Sequence, residues 1–127
     1  MHHGSCLCGA VSFELQGEMR PPFACHCTQC RKTSGHYASF TNVLRDKLRF
    51  SRDDGLEWYQ SSDHARRGFC RVCGASLFWD MAGMDGIWVA CGALEGPTGL
   101  HQSKHIFVAS KGDYYEIADG LPQLDKY

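Results

Sequence analysis

The chain has 127 residues and a mass of 14.2 kDa, which is the size of one ordinary globular domain. Apolar residues make up 43% and charged residues 21% of the chain, a composition that excludes an intrinsically disordered protein. Thirteen basic and fourteen acidic residues leave a net charge of −1. The chain therefore lacks the basic character of a general nucleic-acid-binding protein, and we expect no nucleic-acid partner.

Membrane and export signals are the next classes to consider. The longest apolar run covers residues 87–91 and is far too short to span a bilayer. The first residues, Met1 to Gly4, do not combine a basic region with a following apolar stretch, as a secretion signal would. We therefore expect a cytoplasmic protein with no membrane partner.

Short alternating runs predict β-strands along most of the chain. In chain order these runs cover residues 10–15, 37–43, 56–59, 76–79, 87–91 and 106–109, with turn residues between them. The most helical segment covers residues 28–35 and is long enough for one or two turns closed by Gly35. We predict a single all-β domain over residues 1–127, with eight to ten short antiparallel strands and little helix.

Eight cysteines are the most informative feature of the sequence. Seven of them lie in three clusters: Cys6 and Cys8; Cys25, Cys27 and Cys30; Cys70 and Cys73. An even number of cysteines permits a disulfide framework, and a C-x-x-C pair is also found in redox proteins. Both readings are disfavoured, since a C-x-C pair closes a strained ring and no thioredoxin-like βαβ pattern is present. Clustered thiols of this spacing favour metal binding.

The first and last clusters together predict a structural zinc site. Cys6 and Cys8 are two residues apart, so in a strand their side chains would point to one face. Cys70 and Cys73 enclose a tight turn that is followed by Gly74. Four thiolates form the closed tetrahedral set that is usual for structural zinc, in which sulfurs lie about 3.8 Å apart.

The middle cluster predicts a different kind of site. Cys25, Cys27 and Cys30 offer three thiolates within six residues. Three protein ligands leave one coordination position free, which is the pattern of a catalytic zinc site. A set of sulfur ligands favours Zn²⁺ over Mg²⁺ or Ca²⁺. His26 lies between two of these cysteines, where it is either a proton donor or a hydrogen-bonded residue without a catalytic role.

Other polar residues leave alternatives open. Five basic residues near the later clusters either form an anion pocket or compensate thiolate charge; they are Arg31, Lys32, Arg66, Arg67 and Arg71. Cys91 ends an apolar run without a nearby thiol, which favours a small buried apolar side chain. Asp80 has no partner that the sequence identifies.

Three motifs in this order resemble the family of glutathione-dependent formaldehyde-activating enzymes, which includes the domain of centromere protein V. They are GSCLCGAV at residues 4–11, CHCTQCRKTSG at residues 25–35 and FCRVCG at residues 69–74. The tail, with HIFV at residues 105–108 and GLP at residues 120–122, fits the same pattern. The resemblance implies a β-tent fold of antiparallel sheets stapled by structural zinc.

The resemblance also implies site residues and an activity. Cys6, Cys8, Cys70 and Cys73 would hold the structural zinc, and the set of Cys25, Cys27 and Cys30 would hold the catalytic zinc. The founding activity of the family joins formaldehyde to glutathione to give S-hydroxymethylglutathione, and it is classed as a carbon–sulfur lyase. We therefore expect a zinc-dependent carbon–sulfur lyase whose partner is glutathione, a similar thiol, or its aldehyde adduct.

Two other functions remain compatible with these residues. One is a zinc-stabilised binding module without activity, because a fold alone does not determine a function. The other is a family member that acts on another small molecule. The incomplete three-thiolate set favours an enzyme, since a scaffold needs no open coordination position.

Overall fold

The computed structural model describes all 127 residues, Met1–Tyr127, and contains ten strands and one short α-helix. The strands are β1 (His2–Ser5), β2 (Ser12–Leu15), β3 (Phe23–Cys25), β4 (Ala38–Leu44), β5 (Leu48–Arg52), β6 (Leu56–Gln60), β7 (Ala65–Cys70), β8 (Ser76–Met81), β9 (Gly86–Ala90) and β10 (His105–Ile106). Helix α1 (Thr28–Ser34) lies between β3 and β4. The all-β prediction with little helix is confirmed. Neither α1 nor the short 3-10 turns have the length and apolar character that a bilayer crossing requires.

The strands form two sheets. The smaller sheet has the antiparallel order β1-β2-β5, and the larger has the order β10-β3-β4-β9-β8-β7-β6. All neighbouring strands are antiparallel except β10 and β3, which are parallel. An isolated bridge between Gly4 and Leu94 joins β1 to the chain that follows β9.

The apolar core lies between the two sheets. Strand β2 alternates strictly, so that Phe13 and Leu15 are fully buried while their neighbours are half-buried. The larger sheet contributes the inward side chains Val43, Phe78 and Val89. The ring of Phe13 meets that of Phe78 edge to face with centroids 5.1 Å apart, a favourable aromatic geometry.

The structure also corrects several expectations. The run at residues 106–109 is a two-residue strand followed by a 3-10 turn (Val108–Ser110), because the chain turns at Phe107 with a φ of 55°. Strands β1, β3, β5 and β7 were not expected, and the pairing of β10 with β3 is parallel rather than antiparallel. The predicted helix is confirmed, with Gly35 in the left-handed conformation at its C-cap.

Asp80 has two long-range partners. Its side chain is 8% exposed and accepts from Arg45 Nη1 at 2.6 Å and from Arg66 Nε at 2.9 Å. The guanidinium of Arg66 also stacks on the ring of Trp58, 3.9 Å from its centroid. Burial on its own raises the pKa of Asp80, but the hydrogen bonds and charges of both arginines outweigh it and hold this pKa below its usual value.

Phe13 is 1% exposed, and its ring packs edge to face against those of Phe78 and Phe50, with centroids 5.1 and 6.4 Å away. Replacement of Phe13 by Ala should lower the free energy of unfolding by about 3–5 kcal/mol, because it leaves a cavity between the sheets. Tyr127 is 88% exposed, so Tyr127→Ala is a control that should change stability by less than about 0.5 kcal/mol. Chemical denaturation of both zinc-loaded variants measures the difference, and equal stabilities would contradict this description of the core.

Candidate metal centres and active site

Four cysteine sulfurs from two distant parts of the chain lie together. Cys6 and Cys8 are in the loop after β1, Cys70 ends β7, and Cys73 is in the turn that leads to β8. The Sγ atoms of Cys6 and Cys8 are 3.7 Å apart, as are those of Cys8 and Cys70. All four sulfurs lie within 4.8 Å of one another. The expected strand geometry of Cys6 and Cys8 is wrong, but the loop still brings both sulfurs to one point.

Backbone N–H groups and a tight turn shape this four-sulfur set. The amide of Val11 donates to Cys6 Sγ at 3.3 Å, and the amide of Cys73 donates to Cys70 Sγ at 3.5 Å. Gly74 has a φ of +80°, which allows its amide to reach the carbonyl of Cys70. A hydrogen bond from the Ala75 backbone, followed by further contacts in the set, lowers the pKa of Cys73 to about 6. These amides favour thiolates over thiols.

The middle cluster forms a separate three-sulfur set. Cys25 ends β3, Cys27 is the N-cap of α1, and Cys30 lies in the first turn of the helix with 5% exposure. The three Sγ atoms lie within 4.8 Å of one another, and the amide of Cys30 donates to Cys27 Sγ at 3.3 Å. Hydrogen bonds from the thiols of Cys25 and Cys30 hold the pKa of Cys27 well below its usual range.

Both sets are compatible with zinc. Their donors are sulfur only; the two separations of 3.7 Å in the four-sulfur set are close to the roughly 3.8 Å of tetrahedral zinc thiolates, and the sulfurs of the three-sulfur set lie within 4.8 Å of one another. The four-sulfur set would complete a tetrahedron without any further ligand. The three-sulfur set has no fourth cysteine, histidine or carboxylate within the same distance, so it could hold a zinc ion with one position left for another molecule.

His26 does not supply that fourth ligand. It is 1% exposed, and both of its ring nitrogens have hydrogen-bond partners: Nε2 lies 2.9 Å from Nδ1 of His105, and Nδ1 lies 2.6 Å from the hydroxyl of Tyr115. Burial, followed by the charge of His105, lowers the pKa of His26 to about 4, so its ring is neutral at pH 7. Of the two alternatives for His26, the structure favours a hydrogen-bonded residue over a proton donor.

Arg67 is the basic residue that reaches the three-sulfur set. Its Nη2 lies 3.7 Å from Cys30 Sγ and 3.3 Å from the side-chain oxygen of Gln29. The residue is 9% exposed, its Nε has no hydrogen-bond partner, and no carboxylate lies within 4.0 Å of it. A buried guanidinium without a carboxylate is costly unless it faces other negative charge, and the neighbouring thiolates provide that charge.

A cavity of about 220 Å³ adjoins Arg67 and the end of α1. Apolar walls come from Phe40, Phe69 and Phe78, and polar groups come from Ser34 and Ser76. A second, larger groove of about 400 Å³ lies beside Cys6 and Leu94 on the side of the four-sulfur set. The smaller cavity is lined by Arg67, whose guanidinium also contacts Cys30 of the three-sulfur set.

The remaining candidates lie elsewhere. Cys91 is half-buried with its Sγ 4.0 Å from the hydroxyl of Ser39, and it belongs to neither set. Arg66 pairs with Asp80, and Arg71 donates to the carbonyl of Asp54. The sequence did not predict that His105, Tyr115 and Asp119 lie near His26. They are 79 to 93 positions away from it along the chain, and no local motif links residues at such a distance.

Comparison with known proteins assigns the chain to a family. The sequence profile described as "Glutathione-dependent formaldehyde-activating enzyme" matches residues 1–110. The chain belongs to the glutathione-dependent formaldehyde-activating enzyme family. An uncharacterised lyase of Schizosaccharomyces pombe is 26% identical over 120 residues, which cover 93% of this chain and 86% of that protein.

Two further comparisons agree with this assignment. A protein of Halomonas elongata, provisionally named as a glutathione-dependent formaldehyde-activating enzyme, is 36% identical over 84 residues. That match covers 60% of this chain and about half (53%) of the relative. A crystal structure of a Rhodobacter sphaeroides protein has a TM-score of 0.65 and 28% identity, and covers 76% of this chain and 90% of that one. Family and relatives together support a glutathione-related lyase function.

The two sulfur sets predict different metal contents for cysteine variants. Zinc-saturated protein should bind two zinc ions per chain, and Cys30→Ser should bind one, because two remaining thiolates hold zinc weakly. Cys91→Ser is the matched control and should retain both ions. Elemental analysis of purified protein measures the content, and circular dichroism checks that each variant is folded. Two zinc ions in Cys30→Ser, or one in Cys91→Ser, would contradict this assignment of the ligands.

Proposed function

We propose that the chain is a zinc-dependent carbon–sulfur lyase that acts on a thiol–aldehyde adduct of the S-hydroxymethylglutathione type. In this proposal Cys6, Cys8, Cys70 and Cys73 hold a structural zinc ion, and Cys25, Cys27 and Cys30 hold the catalytic one. The observation that carries it is the unequal number of sulfurs in the two sets, four and three, within a chain of this family. A closed set suits a structural role, and an incomplete one suits binding of a substrate thiol.

The reaction itself needs a thiolate and a stabilised oxygen. In the forward direction the sulfur donates an electron pair to the aldehyde carbon, the C–S bond forms, and the carbonyl π pair moves to oxygen, which then takes a proton. In the reverse direction the hydroxyl loses its proton and the C–S bond breaks. Zinc bound at the three-sulfur set would supply Lewis acidity, which favours the thiolate form of a substrate thiol near neutral pH.

Arg67 provides a fixed positive charge beside this reaction. It lies within hydrogen-bond reach of Cys30 and borders the cavity, where its charge would stabilise negative charge on the aldehyde oxygen. The residue is held by Gln29 and by Thr33, whose hydroxyl lies 3.5 Å from Nη1. A charge that is already oriented and shielded from water needs little reorganisation when the oxyanion forms.

The size of the cavity limits what enters it. At about 220 Å³ it lies below the roughly 300–1,000 Å³ of pockets that enclose a whole drug-sized ligand. Glutathione would therefore place its cysteinyl thiol and the aldehyde carbon in the cavity, with its remaining residues outside. The same volume suits a smaller thiol, so the family name supports glutathione without excluding a different small-molecule substrate.

A binding module without activity is less well supported. A scaffold has no need for a buried cation beside an incomplete sulfur set, since both features are costly for stability. The near-neutral net charge of the chain also lacks the excess of positive charge with which proteins bind nucleic acid.

The proposed activity can be measured at equilibrium. Exchange NMR with ¹³C-labelled formaldehyde and glutathione reports the rate at which label moves between formaldehyde hydrate and the S-hydroxymethyl adduct. Zinc-loaded protein should accelerate this exchange, whereas Cys27→Ser should lose the acceleration and Cys91→Ser should keep it. If protein with two zinc ions leaves the rate unchanged for glutathione and for small thiols such as cysteine, the proposed lyase function is wrong.

Arg67 offers a second test that separates its two possible roles. If the guanidinium stabilises the oxyanion, Arg67→Met should lower kcat about 10²- to 10³-fold while both zinc ions remain bound. Arg67→Lys retains the charge but loses the planar fork, so its kcat should lie between those of Arg67→Met and the unchanged protein. The matched control is Arg49→Met, a substitution of an exposed arginine in β5. A loss of zinc with unchanged kcat per bound zinc would instead assign Arg67 to charge compensation.

A further inference from the structure

Four side chains form a continuous hydrogen-bonded relay behind the three-sulfur set. The hydroxyl of Tyr115 lies 2.6 Å from His26 Nδ1, His26 Nε2 lies 2.9 Å from His105 Nδ1, and His105 Nε2 lies 2.7 Å from a carboxylate oxygen of Asp119. The two histidines are 1% and 3% exposed, while the Asp119 side chain is 42% exposed. The relay therefore runs from the protein surface to the residue between Cys25 and Cys27.

Asp119 fixes the direction of every hydrogen bond in this relay. A carboxylate only accepts, so His105 donates through Nε2–H, and in the neutral form of the His105 ring its Nδ1 is left to accept. His26 must then donate through Nε2–H, which leaves its Nδ1 to accept from Tyr115. Burial, followed by the charge of Tyr37, raises the pKa of Tyr115, which therefore keeps its proton at neutral pH. Each ring nitrogen of the two buried histidines therefore has one partner: each N–H faces an acceptor, and each unprotonated nitrogen faces a donor.

His26 connects the relay directly to the metal-binding segment. Cys25 and Cys27 contribute two sulfurs to the three-sulfur set, and the side chain of His26 between them is 1% exposed. The amide of His26 donates to the carbonyl of Ile106, which continues the parallel pairing of β3 with β10. If a relay partner is lost, a buried ring nitrogen is left unpaired, and the segment must shift to find water.

The C-terminal part of the chain is anchored so that it can hold this relay. The amide of His105 donates to the carbonyl of Pro122 at 2.8 Å, and the amide of Leu124 donates to the carbonyl of His105 at 2.9 Å. The second carboxylate oxygen of Asp119 accepts from the amide of Leu121 at 3.0 Å. Asp119 is thus fixed by both of its oxygens.

We propose that Tyr115 and Asp119, which lie beyond the residues matched by the family profile, are positioning residues that hold Cys25 and Cys27 in place through His26 and His105. This inference rests on the proposed three-sulfur metal site and adds to it a function for residues 111–127. The relay orients the backbone that carries two of the three sulfurs, and Tyr115 and Asp119 contact neither the metal nor the substrate.

The first experiment reads the direction of the relay without any substrate. Long-range ¹H–¹⁵N correlation spectra of the zinc-loaded, ¹⁵N-labelled protein at neutral pH distinguish the two neutral tautomers of each histidine. Both His26 and His105 should carry their proton on Nε2. A proton on Nδ1 of either residue, or rapid exchange between tautomers at both, would overturn the relay.

The second experiment tests whether the relay positions the metal site. Transfer of zinc to a coloured chelator should show a fast phase from the three-sulfur set and a slow phase from the four-sulfur set. Tyr115→Phe removes the hydroxyl and should accelerate only the fast phase, by about five-fold, the value of one lost hydrogen bond. The matched control is Tyr114→Phe, since Tyr114 is the exposed neighbour and its substitution should leave both phases unchanged.

Asp119→Asn tests the other end of the relay. Asparagine has one accepting oxygen where Asp119 uses two, so either His105 or Leu121 loses its acceptor. The fast phase should again accelerate about five-fold, and Asp125→Asn in the same tail is the control. Unchanged release in both Tyr115→Phe and Asp119→Asn would overturn the positioning role, and equal acceleration of both phases would assign these residues to general stability instead.

The outcome is independent of the proposed chemistry. A selective change in zinc release together with Nε2–H tautomers supports the relay even if formaldehyde exchange is not accelerated. Full lyase activity with unchanged release in Tyr115→Phe and Asp119→Asn would retain the proposed function and reject the positioning role.

Discussion

The close approach of the cysteine sulfurs is the interaction on which the structure depends. The sulfurs of Cys8 and Cys70 come from positions 62 residues apart and still lie 3.7 Å from each other. Four thiolates at this distance repel one another, and four thiols gain only weak hydrogen bonds. A divalent cation at their centre would make the arrangement favourable and would join the loop after β1 to the end of β7. The smaller sheet would then be fastened to the larger one at the edge of the core.

The same chemistry gives a different result in the middle cluster. Cys25, Cys27 and Cys30 are close in sequence, so they fasten only the junction of β3 and α1. Their set is incomplete, and the surrounding protein supplies a buried cation and a cavity rather than a fourth ligand. In the proposed function, stability and reactivity would be assigned to separate sets of the same residue type. In our proposal, the relay through His26 holds the backbone that carries two of the three sulfurs.

Local patterns in the sequence predicted a large part of this arrangement. Strict alternation identified strand β2, and a helix C-cap glycine identified the end of α1. The spacing of the cysteines predicted the two groups of sulfurs that the fold brings together. The sequence did not predict strand β7, because its central residues Arg66, Arg67 and Gly68 have no alternating apolar pattern. Arg67 is buried by its contacts with α1, which depend on tertiary structure.

Long-range polar contacts could not be predicted for the same reason. Asp80 meets Arg45 only because β9 pairs with β4 on one side and with β8 on the other. The partners of His26 follow from the parallel pairing of a three-residue and a two-residue strand, both too short to be identified from periodicity. Cys6 and Cys8 converge from a loop rather than a strand, so the prediction of their proximity was right and its geometric reason was wrong.

The most direct test of an open metal site at the three-sulfur set is anomalous scattering at the zinc absorption edge. The crystals are of zinc-loaded protein, grown with and without a small thiol. We expect one peak about 2.3 Å from each sulfur of Cys6, Cys8, Cys70 and Cys73 in both crystals. We expect a second peak at the same distance from Cys25, Cys27 and Cys30, with the added thiol as its fourth ligand. A second peak that is absent, or that is closed by a fourth protein side chain and excludes the thiol, would contradict an open catalytic site.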